Sequence, residues 1–119
     1  MTRSEILEQF SQLLDVMNDL RAKCPWDMKQ TWESIRVLSI EEVHELSDAI
    51  MDNNPDEVRK ELGDILLHIV FYSKIASEHG YFDMGEVCKS LIEKLIRRHP
   101  HIYGDIQVNG EAEVLQNWE

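Results

Sequence analysis

Two short phrases decide how this chain folds: Glu41-Glu42-Val43-His44-Glu45 and Glu61-Leu62-Gly63-Asp64. Glu42 and Glu45 are three apart, as are Glu61 and Asp64, so on a helix each pair shares one face, one turn up. The residues between, Leu46 to Lys60, hold one clear break, Asn53-Asn54-Pro55. That break is enough to end one helix and start a second running back beside it. Four carboxylates then meet across a helix pair. Such a cluster repels itself unless a divalent cation lies inside it.

Spacing alone is a weak signal. With 23 acidic residues in 119, acidic pairs three apart arise about four times by chance. What surrounds the acids separates a site from a solvated face. At about 100° per residue, Ile35, Val43, Leu46, Ala49 and Ile50 make one apolar stripe. Glu42 falls inside this stripe and Glu45 on its edge, whereas solvated acids would lie opposite. Glu61 borders a second stripe of Val58, Leu62, Ile65, Leu66 and Ile69. Asp64 points the other way, on a side that Leu67 and Phe71 continue. The run from Ile65 to Tyr72 is apolar nearly all round, which marks a central helix, and buried carboxylates on it need a partner.

Length and charge narrow the functions. A chain of 119 residues reads as one domain, 1–119, large enough for a core and small enough to gain from oligomerisation. The net charge of −11 argues against a nucleic-acid polymer, which needs a basic footprint, and against an anionic membrane surface. An anionic small molecule still binds if a metal and a few placed cations invert the local field. Cys24 and Cys88 make no disulfide framework and read as free thiols of a reducing compartment. No run approaches transmembrane length, and the expectation is a cytoplasmic protein.

In chain order, Thr2-Arg3-Ser4-Glu5 has capping-box form and opens a helix to about Arg21. Cys24-Pro25-Trp26-Asp27 breaks it. Trp26 there is either a core plug or a flat surface for a nucleobase. A second helix runs from about Thr31 to Asn53, with Ser39 and Glu42 suggesting a second cap at a kink. Asn54-Pro55-Asp56-Glu57 starts a third, from Pro55 to about His79, which Gly80 caps. Asp83 to Glu86 opens a fourth, to about Arg98, and Pro100 stops it. His101 to Glu119 reads as loop plus a short helical piece ending in Trp118. No strand signal appears, so the expected fold is all-α and four-helix-bundle-like. The third helix is too apolar for three partners from one small chain to cover, which predicts a symmetric dimer.

Lys94, Arg97 and Arg98 end the fourth helix, with Lys94 and Arg98 four apart on one face. They either answer the helix C-terminus or clamp phosphate, Arg as a planar fork and Lys as a mobile charge. Beside a carboxylate-held metal, the second account describes a polyphosphate site. Mg²⁺ suits it best, held by a few carboxylates, phosphate oxygens and water, and Mn²⁺ is a natural substitute. His44 and His68 are equally readable as packed neutral histidines or ligands. Glu41-x-x-His44 matches half of a di-iron pattern, but the second Glu-x-x-His pair is missing.

Taken together, these residues resemble the MazG-type nucleoside triphosphate pyrophosphohydrolases over nearly the whole chain. The resemblance rests on Cys24-Pro25-Trp26-Asp27 with Gln30-Thr31, the two acidic phrases, Phe82-Asp83, the stretch Glu93 to His101, and Val114-Leu115 with Trp118. It implies an all-α dimer and Mg²⁺-dependent cleavage of a nucleoside triphosphate between the α and β phosphates. It implies Glu42, Glu45, Glu61 and Asp64 as metal ligands, and Glu41 to position or deprotonate the attacking water. It further implies Lys94 and Arg98 on the triphosphate and Trp26 against the base. The Cys24–Asp27 loop resembles the first domain of two-domain members, consistent with the first half of a longer protein. A reading from another class remains open: a helical dimerisation or regulatory module that keeps a metal or nucleotide site and catalyses little.

Overall fold

The computed structural model describes residues 1–105, 107 and 110–116, so the expected helix end at Trp118 lies outside the described residues. The elements are α1 (Arg3–Lys23), α2 (Pro25–Lys29), α3 (Trp32–Met51), α4 (Pro55–Glu78), α5 (Met84–Arg98), α6 (Pro100–Tyr103) and α7 (Glu111–Gln116). No strand occurs among the described residues, and the protein is all-α as its periodicity predicts. The chain forms two compact units, Met1–Tyr81 and Phe82–Glu119. Of the four long helices foreseen, α1, α3 and α4 belong to the first unit and α5 to the second.

In the first unit, local chemistry sets most helix ends. Thr2 Oγ1 accepts from Glu5 N–H at 3.1 Å while Glu5 Oε1 accepts from Thr2 N–H at 3.4 Å, the reciprocal cap that frees no donor. Thr31 and Ser34 repeat the arrangement at the start of α3. The break at Pro25 is a one-turn helix rather than plain loop, and a distant residue holds it. Arg21 donates through Nη1 to the carbonyls of Asp27, Met28 and Gln30 at 2.7, 3.2 and 2.9 Å. Its Nε and Nη2 donate to Glu78 on α4 at 2.9–3.1 Å. One guanidinium thus ties α1, α2 and α4 together.

The expected kink in α3 is absent: Trp32–Met51 is one continuous helix. Ser39 does not cap it. Its hydroxyl donates back to Ile35 O within the helix at 3.2 Å and meets side chains of α4 instead, a geometry a helix tolerates without breaking.

The turn between α3 and α4 is as compact as the sequence suggests. Asn53 adopts a left-handed φ of 52°, Asn54 N–H bonds Ala49 O at 3.1 Å and Asn53 N–H bonds Ile50 O at 3.0 Å. This is the Schellman pattern that satisfies a helix's last carbonyls. Asn54 then caps α4, its Oδ1 accepting from Glu57 N–H at 3.3 Å, with Pro55 at the first helical position. The two helices run antiparallel along their length, pairing Glu45 with Glu61 near the turn and Trp32 with Tyr72 at the far end.

Met17 of α1, Ile35 and Ala49 of α3, and Val70, Phe71, Ile75 and Ala76 of α4 form the buried core. The second half of α4 is therefore central, as predicted. The predicted α3 stripe is narrower than expected: Ile35 and Ala49 are buried, but Val43 and Ile50 stay more than half exposed. One neighbouring helix covers one side of the stripe and leaves the other bare.

In the second unit, Asp83 Oδ1 accepts from Glu86 N–H at 2.9 Å and starts α5. Pro100 ends that helix by opening the short α6. No residue of α5 is buried, and Leu91, Ile92 and Ile96 are exposed.

Candidate metal centre

The α3–α4 hairpin brings three of the four predicted ligands together. Glu42 and Glu45 project from α3 and Glu61 from α4, and each offers an oxygen within 4.8 Å of the other two. The pairing follows from the hairpin register, since one turn separates Glu42 from Glu45 and Glu61 lies opposite on the returning helix. Glu42 and Glu61 are half-buried, and Oε2 of each is buried without a hydrogen-bond partner. A carboxylate oxygen left bare in this way costs free energy that a cation can recover.

The electrostatics agree. Burial pushes the Glu42 carboxyl above its ordinary value of 4.5, and the charges of Asp64 and Glu45 add to it while a hydrogen bond with Glu61 works the other way. Glu45 is raised chiefly by its contact with Glu61, and Glu61 chiefly by its contact with Glu42. Carboxyls this close hold protons in common because they cannot all ionise at no cost. Asp64 is exposed and stands outside the trio, yet its charge raises all three.

The donor set fits a hard divalent cation. Oxygens around octahedral Mg²⁺ stand about 3–4 Å apart, given metal–oxygen distances of ~2.1 Å. The oxygens of the trio lie within 4.8 Å of one another, close to that range. Three carboxylates with no sulfur or imidazole among them suit Mg²⁺ or Mn²⁺ better than zinc.

The other predicted residues are placed as follows. Glu41 is exposed on α3. Trp26 is 56% exposed on α2 and is not a core plug, because Pro25–Lys29 is a single surface turn. Lys94 is exposed and Arg98 half-buried, one turn apart at the end of α5 in the second unit. His44 is exposed, while His68 is half-buried with Nδ1 2.9 Å from Ser39 Oγ.

Three further acids escaped the sequence reading. Asp48, Asp52 and Glu57 line a cleft of about 200 Å³ together with Glu45 and Glu61. Glu45, Asp48 and Asp52 follow three-and-four spacing, so a stripe continuing toward the turn was visible in the sequence.

Comparison with known proteins points the same way. The MazG nucleotide pyrophosphohydrolase domain matches residues 30–103. A nucleoside triphosphate pyrophosphohydrolase of Escherichia coli (strain K12) is 41% identical over 116 residues, covering 95% of this chain and 44% of that protein. The nucleoside triphosphate pyrophosphohydrolase/pyrophosphatase MazG of Thermotoga maritima is 49% identical over 98 residues, covering 81% and 38%. The chain thus spans less than half the length of these curated relatives. A crystal structure of a mazG-related protein from Thermotoga maritima superposes with a TM-score of 0.76 at 22% identity, over 91% of this chain and 94% of that one, which shows a shared fold. By its matched domain, this chain belongs to the MazG nucleotide pyrophosphohydrolase domain family.

Proposed function

We propose that this chain is a Mg²⁺-dependent nucleoside triphosphate pyrophosphohydrolase that cleaves between the α and β phosphates, giving a monophosphate and pyrophosphate. The observation that carries the reading is that Glu42 and Glu61, two members of a three-carboxylate cluster, each hold a buried oxygen without a hydrogen-bond partner. Membership of the family and the printed activities of its relatives supply the reaction class.

In this reading Glu42, Glu45, Glu61 and Asp64 would hold Mg²⁺. Bound there, Mg²⁺ neutralises phosphate charge and makes water a better nucleophile. Exposed Glu41 directs a water or takes its proton, a task for a carboxylate at the rim rather than in the cluster. Lys94 and Arg98 contact the triphosphate, consistent with their one-turn spacing. Trp26 offers an open ring for stacking on a base, consistent with its exposure. The carboxylates orient charge, and positioning and charge neutralisation supply most of what phosphoryl-type transfer requires.

A second reading is a weakly active or silent module that keeps the metal site. It draws on the short span of the chain relative to its relatives, which leaves room for catalysis by a further domain. Pyrophosphate release from a panel of ribo- and deoxyribonucleoside triphosphates, with Mg²⁺ and with chelator, decides between them. Mg²⁺-dependent release with a monophosphate product supports the enzyme. Metal binding without release supports the module.

A further inference from the structure

Trp32, which opens α3, stands at the far end of the hairpin from the acidic trio and borders a cavity of its own. The cavity measures about 380 Å³, and Arg21, Trp32, Glu33, Ile75, His79 and Tyr81 are among the residues lining it. All of them belong to the first unit. Small-molecule sites occupy about 300–1,000 Å³, so the space is large enough for one. Ten residues of continuous helix separate Trp32 from Glu42, which is about 15 Å along the axis. A ligand seated here is therefore clear of the carboxylate cluster.

Three aromatic rings follow one another along the cavity. Trp32 and Tyr81 meet at 5.9 Å between centroids with planes tilted by 54°, and His79 stacks on Tyr81 at 5.2 Å and 25°. Backbone groups anchor the series. Trp32 Nε1 donates to Tyr72 O at 3.1 Å, which pins the indole to α4. Just past α4, Gly80 takes a φ of 72°. Gly80 N–H bonds Ser77 O at 3.1 Å and Tyr81 N–H bonds Ala76 O at 3.0 Å. This Schellman turn folds the chain back, so that Tyr81 lines the same cavity as the buried Ile75. Burial does not account for the rings, since Trp32 is 37% and Tyr81 63% exposed. Aromatic side chains held in place yet open to solvent serve a binding site better than a core.

Charge selects the ligand. The Arg21 guanidinium is already committed: Nε and Nη2 donate to Glu78, Nη1 donates to three carbonyls, and Cζ lies 5.9 Å from the centroid of the Phe71 ring. With its donors turned to the protein and its charge answered by Glu78, it offers little to an anion. Glu33 differs, being an exposed carboxylate that makes no ion pair with a described residue. Aromatic rings beside such a carboxylate, in a chain of net charge −11, favour a cation, because π faces attract positive charge and Trp does so most strongly. Arg21 over Phe71 is the same interaction already in use at this end of the molecule.

We propose that the cavity bounded by Trp32, Tyr81 and His79 binds a small organic ammonium cation, with Glu33 as its counter-ion. An alkylated ammonium group fits best, because its charge is spread over methyl groups that pack on the rings, whereas a hydrated metal ion keeps its water. The site is separate from the Mg²⁺ reading above and stands or falls independently of it.

The test titrates choline into the whole protein and follows the Trp32 Nε1–H signal by ¹⁵N NMR, assigned by its loss in Trp32→Phe. The control is the neutral isostere of choline, in which carbon replaces nitrogen. Choline should shift the signal saturably, alike with and without Mg²⁺, and the isostere should bind at least about tenfold more weakly. Glu33→Gln and Tyr81→Leu, both at exposed positions, should each weaken choline binding by about threefold or more with helical circular dichroism unchanged. Absence of a saturable shift in the wild type overturns the site. Equal binding of choline and its isostere overturns the cation class and leaves an apolar pocket. Wild-type affinity in folded Tyr81→Leu overturns the role of the rings, and in folded Glu33→Gln that of the counter-ion. Competition by Mg²⁺ places choline at the acidic trio instead and likewise overturns the proposal.

Discussion

At the scale of single residues, the acidic trio is a charge problem the protein keeps unsolved without its cation. Glu42, Glu45 and Glu61 all bind their protons more tightly when folded than at the ordinary value of 4.5. Their ionisation therefore opposes folding. Metal-free protein gains stability from them as pH falls from neutral through the raised folded values, and that gain is complete below the unfolded value. His68, held below 6.5 chiefly by burial, acts in the opposite direction as it is forced to charge. Thermal melts with and without Mg²⁺ separate these effects. The Mg²⁺-induced rise in Tm should be largest near about pH 7.5 and shrink toward about pH 5.5, as protons compete for the ligand oxygens. An undiminished rise at the lower pH would count against the trio as ligands. Glu42→Gln should raise the Tm of metal-free protein, abolish the Mg²⁺ effect and cut turnover by at least about 100-fold, measured as pyrophosphate release. The trio was legible because Glu42 sits inside an apolar stripe, which no solvated acid does. Ser39 was misread because the capping pattern of Ser39 and Glu42 is locally sound; only α4, 29 and 33 residues further on, gives the hydroxyl a better use.

At the scale of elements, the helix ends divide into those set locally and those set from afar. Asn53, Asn54 and Pro55 carry their instructions in their own side chains, and the turn stands where the sequence put it. Replacing Asn54 by Ala should cost about 1 kcal/mol in urea unfolding, the usual worth of such a cap. Replacing Asn53 by Val should cost about 1–2 kcal/mol, because a β-branched residue resists the left-handed conformation that Asn accepts. The α2 turn belongs to the other kind. Nothing in Pro25–Lys29 announces that Arg21 will gather its carbonyls, nor that Glu78, 57 residues from Arg21, will hold the guanidinium. Arg21→Met should cost about 2 kcal/mol by leaving carbonyls and a half-covered carboxylate without donors. It should also increase the mobility of Trp26 in fluorescence anisotropy, since Gln30, whose Nε2 bonds Trp26 O at 2.8 Å, is anchored by the same clamp.

For the molecule as a whole, a good deal of apolar surface stays exposed. Val37, Ile40 and Val43 on α3 and Leu62 and Ile69 on α4 remain 40–55% exposed, and surface of this kind is what a subunit interface covers. Sedimentation equilibrium at micromolar concentration should give a dimer, and Ile40→Glu should shift it toward monomer. A wild-type monomer would remove the proposal of assembly. Of these residues only Leu62 and Ile69 belong to the third predicted helix, from which the surplus was expected, while Val37, Ile40 and Val43 lie on the helix before it; the division into two units left no mark in composition. The compact turn between α3 and α4 has one further consequence, and it concerns time rather than energy. Glu45 and Glu61 are 16 residues apart in sequence, so closing the loop between them costs little chain entropy. Contacts of such low separation form early on a folding route. The cation would then find its ligands in the folding nucleus, before the rest of the first unit is assembled. Mg²⁺ should accordingly speed refolding in stopped-flow experiments more than it slows unfolding.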